Sequence, residues 1–280
     1  MELNQYKTAD VLKGLMIHAL LMAVTLTCLF PLFWMARSAL MTNETIFADK
    51  SLIPSIVEFG NFRTAWVEGN FATYFLNSIF YTAAVVIGII LVASLAAYAF
   101  SRLNFPGKNF FFYMFILAMM IPLPGSFVPL VVLMNKLHLV NTRLGYILCM
   151  INVGLSVSIL LLKTFFDKIP TDLEDTARID GCGPLRIWWH VALPVARPAV
   201  AVIVIFNSLN VWNEFILANL ILTDDALMTL QAGLFKFQGP NLANYPVLMA
   251  GLTISTVPVL LIYLIMQKHI IKGLSSGEIV

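Results

Sequence analysis

The sequence predicts an all-α polytopic membrane protein, and three observations carry that expectation. Hydrophobic residues make up 60% of the 280-residue chain and charged residues only 11%. Mean hydropathy is +0.87. The apolar residues gather in charge-poor runs of the length that crosses a bilayer core, about 20 residues. A soluble domain has about 25% charged residues, and a chain with less than half of that cannot clothe a globule of this size in wetted surface. An ordinary soluble enzyme and a disordered chain are excluded. The net charge of +2 is too small for a nucleic-acid-binding face. Cys28, Cys149 and Cys182 cannot form a disulfide framework, and their spacing fits no zinc site.

Six runs qualify as spans, at about 14–36, 72–100, 109–135, 144–166, 198–222 and 246–267, within one transmembrane domain over residues 1–280. The first is interrupted only by His18. It is too long for the core of a cleaved signal peptide, and no small-residue cleavage site follows, so it is expected to be retained. The second is long enough to tilt. The third contains Pro122-Leu123-Pro124-Gly125 and then Pro129, which should break or kink it. The fifth contains a single acid, Glu214.

Six spans put both termini on one side, and the positive-inside rule assigns the side. With cytoplasmic termini, the inner segments hold eleven cations: Lys7, Lys13, Arg102, Lys108, Lys163, Lys168, Arg178, Arg186, Arg197, Lys268 and Lys272. The outer segments hold six, namely Arg37, Lys50, Arg63, Lys136, Arg143 and Lys236. Both termini are expected inside. The long outer loop, Arg37 to Asn70, is expected to hold small helices.

The long inner loop, residues 168–194, is the informative one. Pro170 should stop the fourth span, and Thr171 with Glu174 three residues on is a capping-box pattern. Gly181 is placed to end the helix in a left-handed conformation, and Pro184 suits the first turn of another. The spacing therefore predicts helix, turn, helix. Leu173, Ala177 and Ile179 offer a small apolar surface ringed by Glu174, Asp175, Arg178 and Asp180. Two readings stand side by side: a docking knob for a partner protein, or an interfacial hairpin held in lipid by Trp188 and Trp189.

The loop resembles the EAA motif of permease subunits in binding-protein-dependent ABC importers. That motif reads Glu-Ala-Ala, three residues, Gly, nine residues, Ile-x-Leu-Pro. Here Asp175-Thr176-Ala177 takes the first positions, Gly181 the glycine, and Val191-Ala192-Leu193-Pro194 the end. Asp175 replaces Glu and Thr176 replaces Ala, which keeps the charge sign but shortens the acid. The string Ala177-Arg178-Ile179-Asp180-Gly181 is similar to the carbohydrate branch. So are Phe30-Pro31-Leu32-Phe33-Trp34, Asn77-Ser78, Ala97 to Arg102, Phe105-Pro106-Gly107, Leu139 to Thr142, Trp212-Asn213-Glu214-Phe215 and Gln267 to Leu274.

The likeness is nearest to the second permease of maltose-type systems, the smaller of a heterodimeric pair. It implies a prokaryotic inner-membrane protein, a second permease subunit, two ABC ATPase subunits, an extracytoplasmic solute-binding protein and a sugar substrate. It also implies that residues around Gly181 (Glu174, Asp175, Thr176, Ala177, Arg178, Asp180) form the coupling helix docking on an ATPase. No G-x-x-x-x-G-K-[S/T] phosphate loop occurs in the chain. ATP and Mg are therefore expected on the ATPase partners, with no cofactor, metal or catalytic residue in this chain. Membrane lipid is the remaining partner.

Polar groups inside spans are costly and tend to face a bundle interior or a cavity. Asn207, Asn210 and Glu214 are spaced three and four apart, so the pattern places them on one helix face. Trp212-Asn213 adds the ring and the planar amide that sugar recognition uses. This stretch is expected either to line the transport path or to bond helix to helix; Asn77 and Asn152 raise the same alternatives. An ion-gradient carrier is the competing class, but it calls for repeats and paired ionisable groups at midplane. Glycerol phosphate esters are the competing substrate, and they call for a cation inside a span, where none is found. His18, His138, His190 and His269 are scattered over different segments.

Overall fold

The computed structural model describes residues 2–121, 123–235 and 244–275, with side chains described over 13–121, 125–235 and 244–264. Among the described residues every regular element is helical: α1 (Glu2–Ser38), α2 (Gly60–Arg63) running into a π turn (Thr64–Glu68), α3 (Phe71–Arg102), α4 (Lys108–Ala118), α5 (Leu123–Lys136), α6 (Arg143–Asp167), α7 (Asp172–Ile179), α8 (Pro184–Ile187), a π turn (Trp188–Ala192), α9 (Leu193–Val195), α10 (Arg197–Asn213), α11 (Ile216–Ile221), a 3-10 turn (Asp225–Leu227), α12 (Leu230–Phe235) and α13 (Tyr245–Ser275).

Among the described residues four helices are long and apolar enough to cross a membrane: Lys13–Ser38 of α1, all of α3, all of α6 and Tyr245–Leu264 of α13. The third and fifth expected spans are interrupted. α4 has ended at Ala118 and the chain turns through Met119–Ile121 before α5 begins at Leu123. Pro122, expected to break this span, lies outside the described residues, whereas Pro129 sits within α5. The fifth stretch enters through a 78° bend between Pro184–Val195 and Arg197–Asn213, and leaves helix again after Asn213.

The chain divides into two compact units, Met1–Asn70 with Lys236–Thr256, and Phe71–Phe235 with Val257–Val280. In the first, α1 shows apolar side chains such as Leu20, Met22 and Leu26 outward along its length, as a helix surrounded by lipid or another subunit would. Its C-terminal end is knotted to the following loop. Arg37 is buried, stacks on Trp34 and donates to the Asp49 carbonyl. Asn61 Nδ2 donates to the carbonyls of Ala39 and Met41. The Asp49 carboxylate accepts from the hydroxyl and amide of Ser51 and then those of Ser55. These bonds favour its charged form and hold its pKa well below the usual carboxylate range. The small helices expected in this loop are α2 and its π turn.

In the second unit α3 lies along α6. A Cβ at Gly88 would meet Ile151, and one at Gly154 would meet Asn207 and Ile89, so both glycines set how closely the helices approach. Aromatic rings fill the seam, with Tyr81 on Tyr146 at 4.8 Å and Tyr98 on Phe166 at 6.0 Å, while Phe75 of α3 meets Trp212 of α10 at 5.6 Å. One end of α3 holds a cradle for the chain between α11 and α12. Asn77 Nδ2 donates to the carbonyls of Ala226 and Met228, Tyr81 Oη donates to that of Leu227, and Ser78 Oγ accepts from the Leu230 amide. The other end meets the segment that the sequence singles out.

Candidate functional site: a knob between α6 and α10

Leaving α6 at Asp167, the chain forms α7, turns at Gly181 and returns through α8, the π turn and α9 to α10. Gly181 has φ +81, and a Cβ there would meet nothing within 4 Å. The requirement for glycine is therefore the left-handed backbone, not space. The amides of Gly181 and Cys182 close the helix end on the carbonyls of Arg178 and Ala177. Gly183 is extended, and Pro184 opens α8 where its fixed φ fits and its missing N–H is not needed.

The expected capping box does not form. Thr171 itself has helical dihedrals (φ −64, ψ −26) and its side chain makes no cap bond; a capping hydroxyl needs the extended conformation to reach back to the helix amides. Glu174 is engaged elsewhere. Its side chain is 1% exposed and lies 2.7 Å from Arg102 Nε. Tyr98 Oη donates to it at 3.5 Å and Arg178 Nη2 at 3.4 Å. The placement of Glu174 on a docking face is thereby corrected: the carboxylate points inward, because a buried carboxylate needs cationic partners and Arg102 supplies one. Arg102 also donates to the Ile169 carbonyl at 2.6 Å.

What the knob presents outward is different. Ile179 is 87% exposed and Leu185 71%, with Leu173 also exposed. Asp175, Thr176, Arg178, Asp180 and Gly181 are exposed around them. Asp175 accepts from Arg178 at 2.5 Å, and Thr176 Oγ1 donates to the Asp172 carbonyl at 2.9 Å. Ala177 packs inward against the core. Trp188 is buried, so only Trp189 of the pair faces outward. The knob is therefore held by protein, with an apolar tip in a polar collar.

The polar residues of the spans fall into two groups. Asn77 is part of the cradle and also accepts from Arg143 at 3.3 Å. Asn207 is buried, donating to Ser158 Oγ and to the Ile203 carbonyl. Trp212 is buried against Phe75. Glu214 follows the last residue of α10, extended at φ −74 and ψ 128, and accepts from the amides of Leu217 and Ala218 at 2.6 and 3.0 Å and from Tyr146 Oη at 3.4 Å. It caps α11. The shared face of Asn207, Asn210 and Glu214 is corrected accordingly: Asn207 points inward, Asn210 outward, and Glu214 lies past the helix end, because the helix stops one residue short of it. Asn152, Asn210 and Asn213 are exposed.

Sequence reasoning missed Arg102 and Tyr98 as parts of this site. The available signal was a lone cation closing a span, counted only as loop charge. Among the described residues no three His, Cys, Asp or Glu side chains come together as metal ligands. His18 and His190 each bond a carbonyl of their own helical segment.

Comparison with known proteins decides the family. Residues 89–276 match the model of the binding-protein-dependent transport system inner membrane component. The chain belongs to that family. It is a permease subunit of the carbohydrate ABC importer class, a multi-pass protein of the inner membrane. It is 32% identical over 262 residues to the diacetylchitobiose uptake system permease protein NgcG of Streptomyces coelicolor, covering 93% of this chain and 87% of that one. It is 30% identical over 270 residues to the sn-glycerol-3-phosphate transport system permease protein UgpE of Pectobacterium atrosepticum, covering 93% and 95%. Its fold matches a chain from the crystal structure of a bacterial ABC transporter importing the acidic polysaccharide alginate, with TM-score 0.81 and 24% identity over 93% of this permease and 97% of that chain.

Proposed function

We propose that this permease is one of two transmembrane subunits of an ATP-driven importer that moves a neutral oligosaccharide into the cytoplasm by alternating access. In this reading the chain crosses the membrane six times, counting each interrupted stretch once, with both termini cytoplasmic and residues 1–280 acting as one transmembrane domain. The observation that carries it is the knob: an apolar tip, Ile179 and Leu185, standing exposed on a glycine turn between two spans. Apolar side chains at such exposure call for a partner surface. A knob fixed to the bundle passes motion on as a rigid body.

The partner is an ABC ATPase, gripped through Asp175, Thr176, Arg178, Asp180 and Gly181, with Ala177 backing them from the core side. Two ATPase subunits bind ATP and Mg, and an extracytoplasmic solute-binding protein delivers the sugar. Asn152, Asn210 and Asn213 remain candidates for the pathway, because their amides are exposed in this subunit; Asn77, Asn207, Trp212 and Glu214 have structural duties. A neutral substrate is favoured over a phosphate ester. Arg143, the cation opening α6, is already engaged by Asn77 and lies over the Phe80 ring.

The test is affinity purification of this chain from its native membrane in mild detergent, followed by mass spectrometry. Recovery of an ABC ATPase and a second permease is the expected result, and their binding protein can then be screened with neutral and phosphorylated ligands. A chain recovered alone that transports in liposomes on an ion gradient without ATP would overturn the reading.

A further inference from the structure

A coupling knob joined to the bundle only through its flanking chain would pull on α6 and α10 alone. The structure assigns a third attachment: the Arg102–Glu174 ion pair latches the knob to the end of α3, so that α3 and the knob move as one body. This rests on the coupling reading above.

Three observations support it. Both charges are withdrawn from water, the side chains being 10% and 1% exposed, where an ion pair is geometrically demanding and loss of one partner is strongly felt. Arg102 uses its second arm on the Ile169 carbonyl. One guanidinium therefore grips both the entry to α7 and its second residue pair, which fixes orientation as well as distance. The same helix end is also tied to the last residue of α6, where Ser101 Oγ donates to Asp167 Oδ1 at 2.6 Å, so α3 is fixed beside the chain that leads into the knob. Meanwhile α3 is packed along α6 through the Gly88 and Gly154 contacts. A displacement of the knob thus enters the bundle through a helix distant in sequence. Glu174 and Arg102 are positioning residues; neither offers itself to the ATPase or to the sugar.

The experiment uses the complete importer in nanodiscs, with spin labels at Asp172→Cys on the knob, an exposed residue outside the docking set, and Leu95→Cys on α3, and with Cys28 and Cys182 replaced by Ser. Distances are read by pulsed electron paramagnetic resonance in the nucleotide-free state and after trapping with ATP and vanadate, beside the ATP hydrolysis rate. The expected result for the otherwise native protein is one narrow distance, unchanged by trapping. A distance that shifts on trapping overturns the latch without any latch variant having to fold. Glu174→Gln should keep the ATPase in the complex and hydrolysis running, while the distance broadens and shifts on trapping. Glu174→Asp, which keeps the charge, should broaden the distance less than Glu174→Gln does. A Glu174→Gln protein as narrow as the native one would also overturn the inference. Failure of the coupling reading looks different: no ATPase accompanies the chain at all.

Discussion

The two ends of α3 hold their neighbouring loops by different chemistry. At the cradle end, uncharged side chains bond main-chain groups: Asn77, Ser78 and Tyr81 take the carbonyls of residues 226–228 and the amide of Leu230. Asn141 reinforces them, its Oδ1 accepting from the amides of Thr223 and Asp224. At the knob end, charges bond charges. Main-chain bonds spread over consecutive residues prescribe the shape of a loop. A desolvated ion pair backed by one bond to the Ile169 carbonyl fixes where and in what orientation a preformed piece is attached, and leaves its far side free. The first arrangement suits a fixed wall; the second suits a part that a partner pushes.

The sharpest way to break this contrast is Gly181→Val. At φ +81 a β-branched residue is strongly disfavoured, yet nothing surrounds the new side chain, so the spans and the cradle should be untouched. ATPase recovered with the tagged chain, and ATP hydrolysis per complex, should fall by at least about tenfold, the equivalent of ~1.4 kcal/mol. Gly181→Ala should fall in between, since left-handed backbone costs about 1–2 kcal/mol for an L-residue. Normal hydrolysis and assembly in Gly181→Val would remove the knob from the mechanism.

The cradle predicts the converse. Asn77→Leu fills similar space but strips the donors from two carbonyls and the acceptor from Arg143. A loss of about 1–3 kcal/mol is expected for buried groups left unpaired. It should appear as faster proteolysis within residues 222–230, with knob-dependent ATPase recovery unchanged. Equal resistance in the variant would mean that the cradle bonds are incidental.

These two regions were not equally legible in the sequence. The knob was: Gly181, Pro184 and the spacing between them encode a turn by backbone rules alone, and the turn is where they place it. Glu174 was misread, because its local pattern fits a capping box while its actual partner, Arg102, is far away in sequence and no local rule pairs them. The long unbroken spans follow from composition, whereas the ends at Ala118 and Asn213 do not. Glu214 looked like an acid inside a span; only the fold reveals that the helix has ended and that the carboxylate caps the next one. Asn77 and Asn207 are indistinguishable from Asn210 by residue type, and only packing separates inward amides from outward ones.

The Glu214 cap gives a smaller effect that sharpens the point. Glu214→Gln retains an acceptor oxygen for α11 and should leave assembly and ATP hydrolysis near normal. Glu214→Ala frees the amides of Leu217 and Ala218 and should cost about 0.5–2 kcal/mol, read as a lower thermal midpoint in detergent. A Gln variant that assembles normally but transports a different range of sugars would instead put Glu214 in the pathway.

The smallest effect expected is at Asp49, in the loop after α1, where a carboxylate again organises main chain as the neutral groups of the cradle do. Its bonds from Ser51 and Ser55 lower its pKa in the folded loop relative to the unfolded chain, where a carboxyl titrates near about 3.9. A group with a depressed folded pKa stabilises the loop fully above the unfolded value and loses that contribution as pH falls from there toward the folded one. Amide exchange at Ser51 and Ser55 should therefore stay slow from neutral pH down to about pH 5. After correction for the intrinsic pH dependence of exchange, it should quicken only in more acid solution. Asp49→Asn should abolish that acid step, because the amide does not titrate; its single oxygen can keep the Ser51 bonds, while its Nδ2 cannot accept from the Ser55 amide, which should exchange faster at every pH. A step that persists in Asp49→Asn would assign the acid sensitivity of this loop to another group, and would leave the organising role of Asp49 to hydrogen-bond geometry alone.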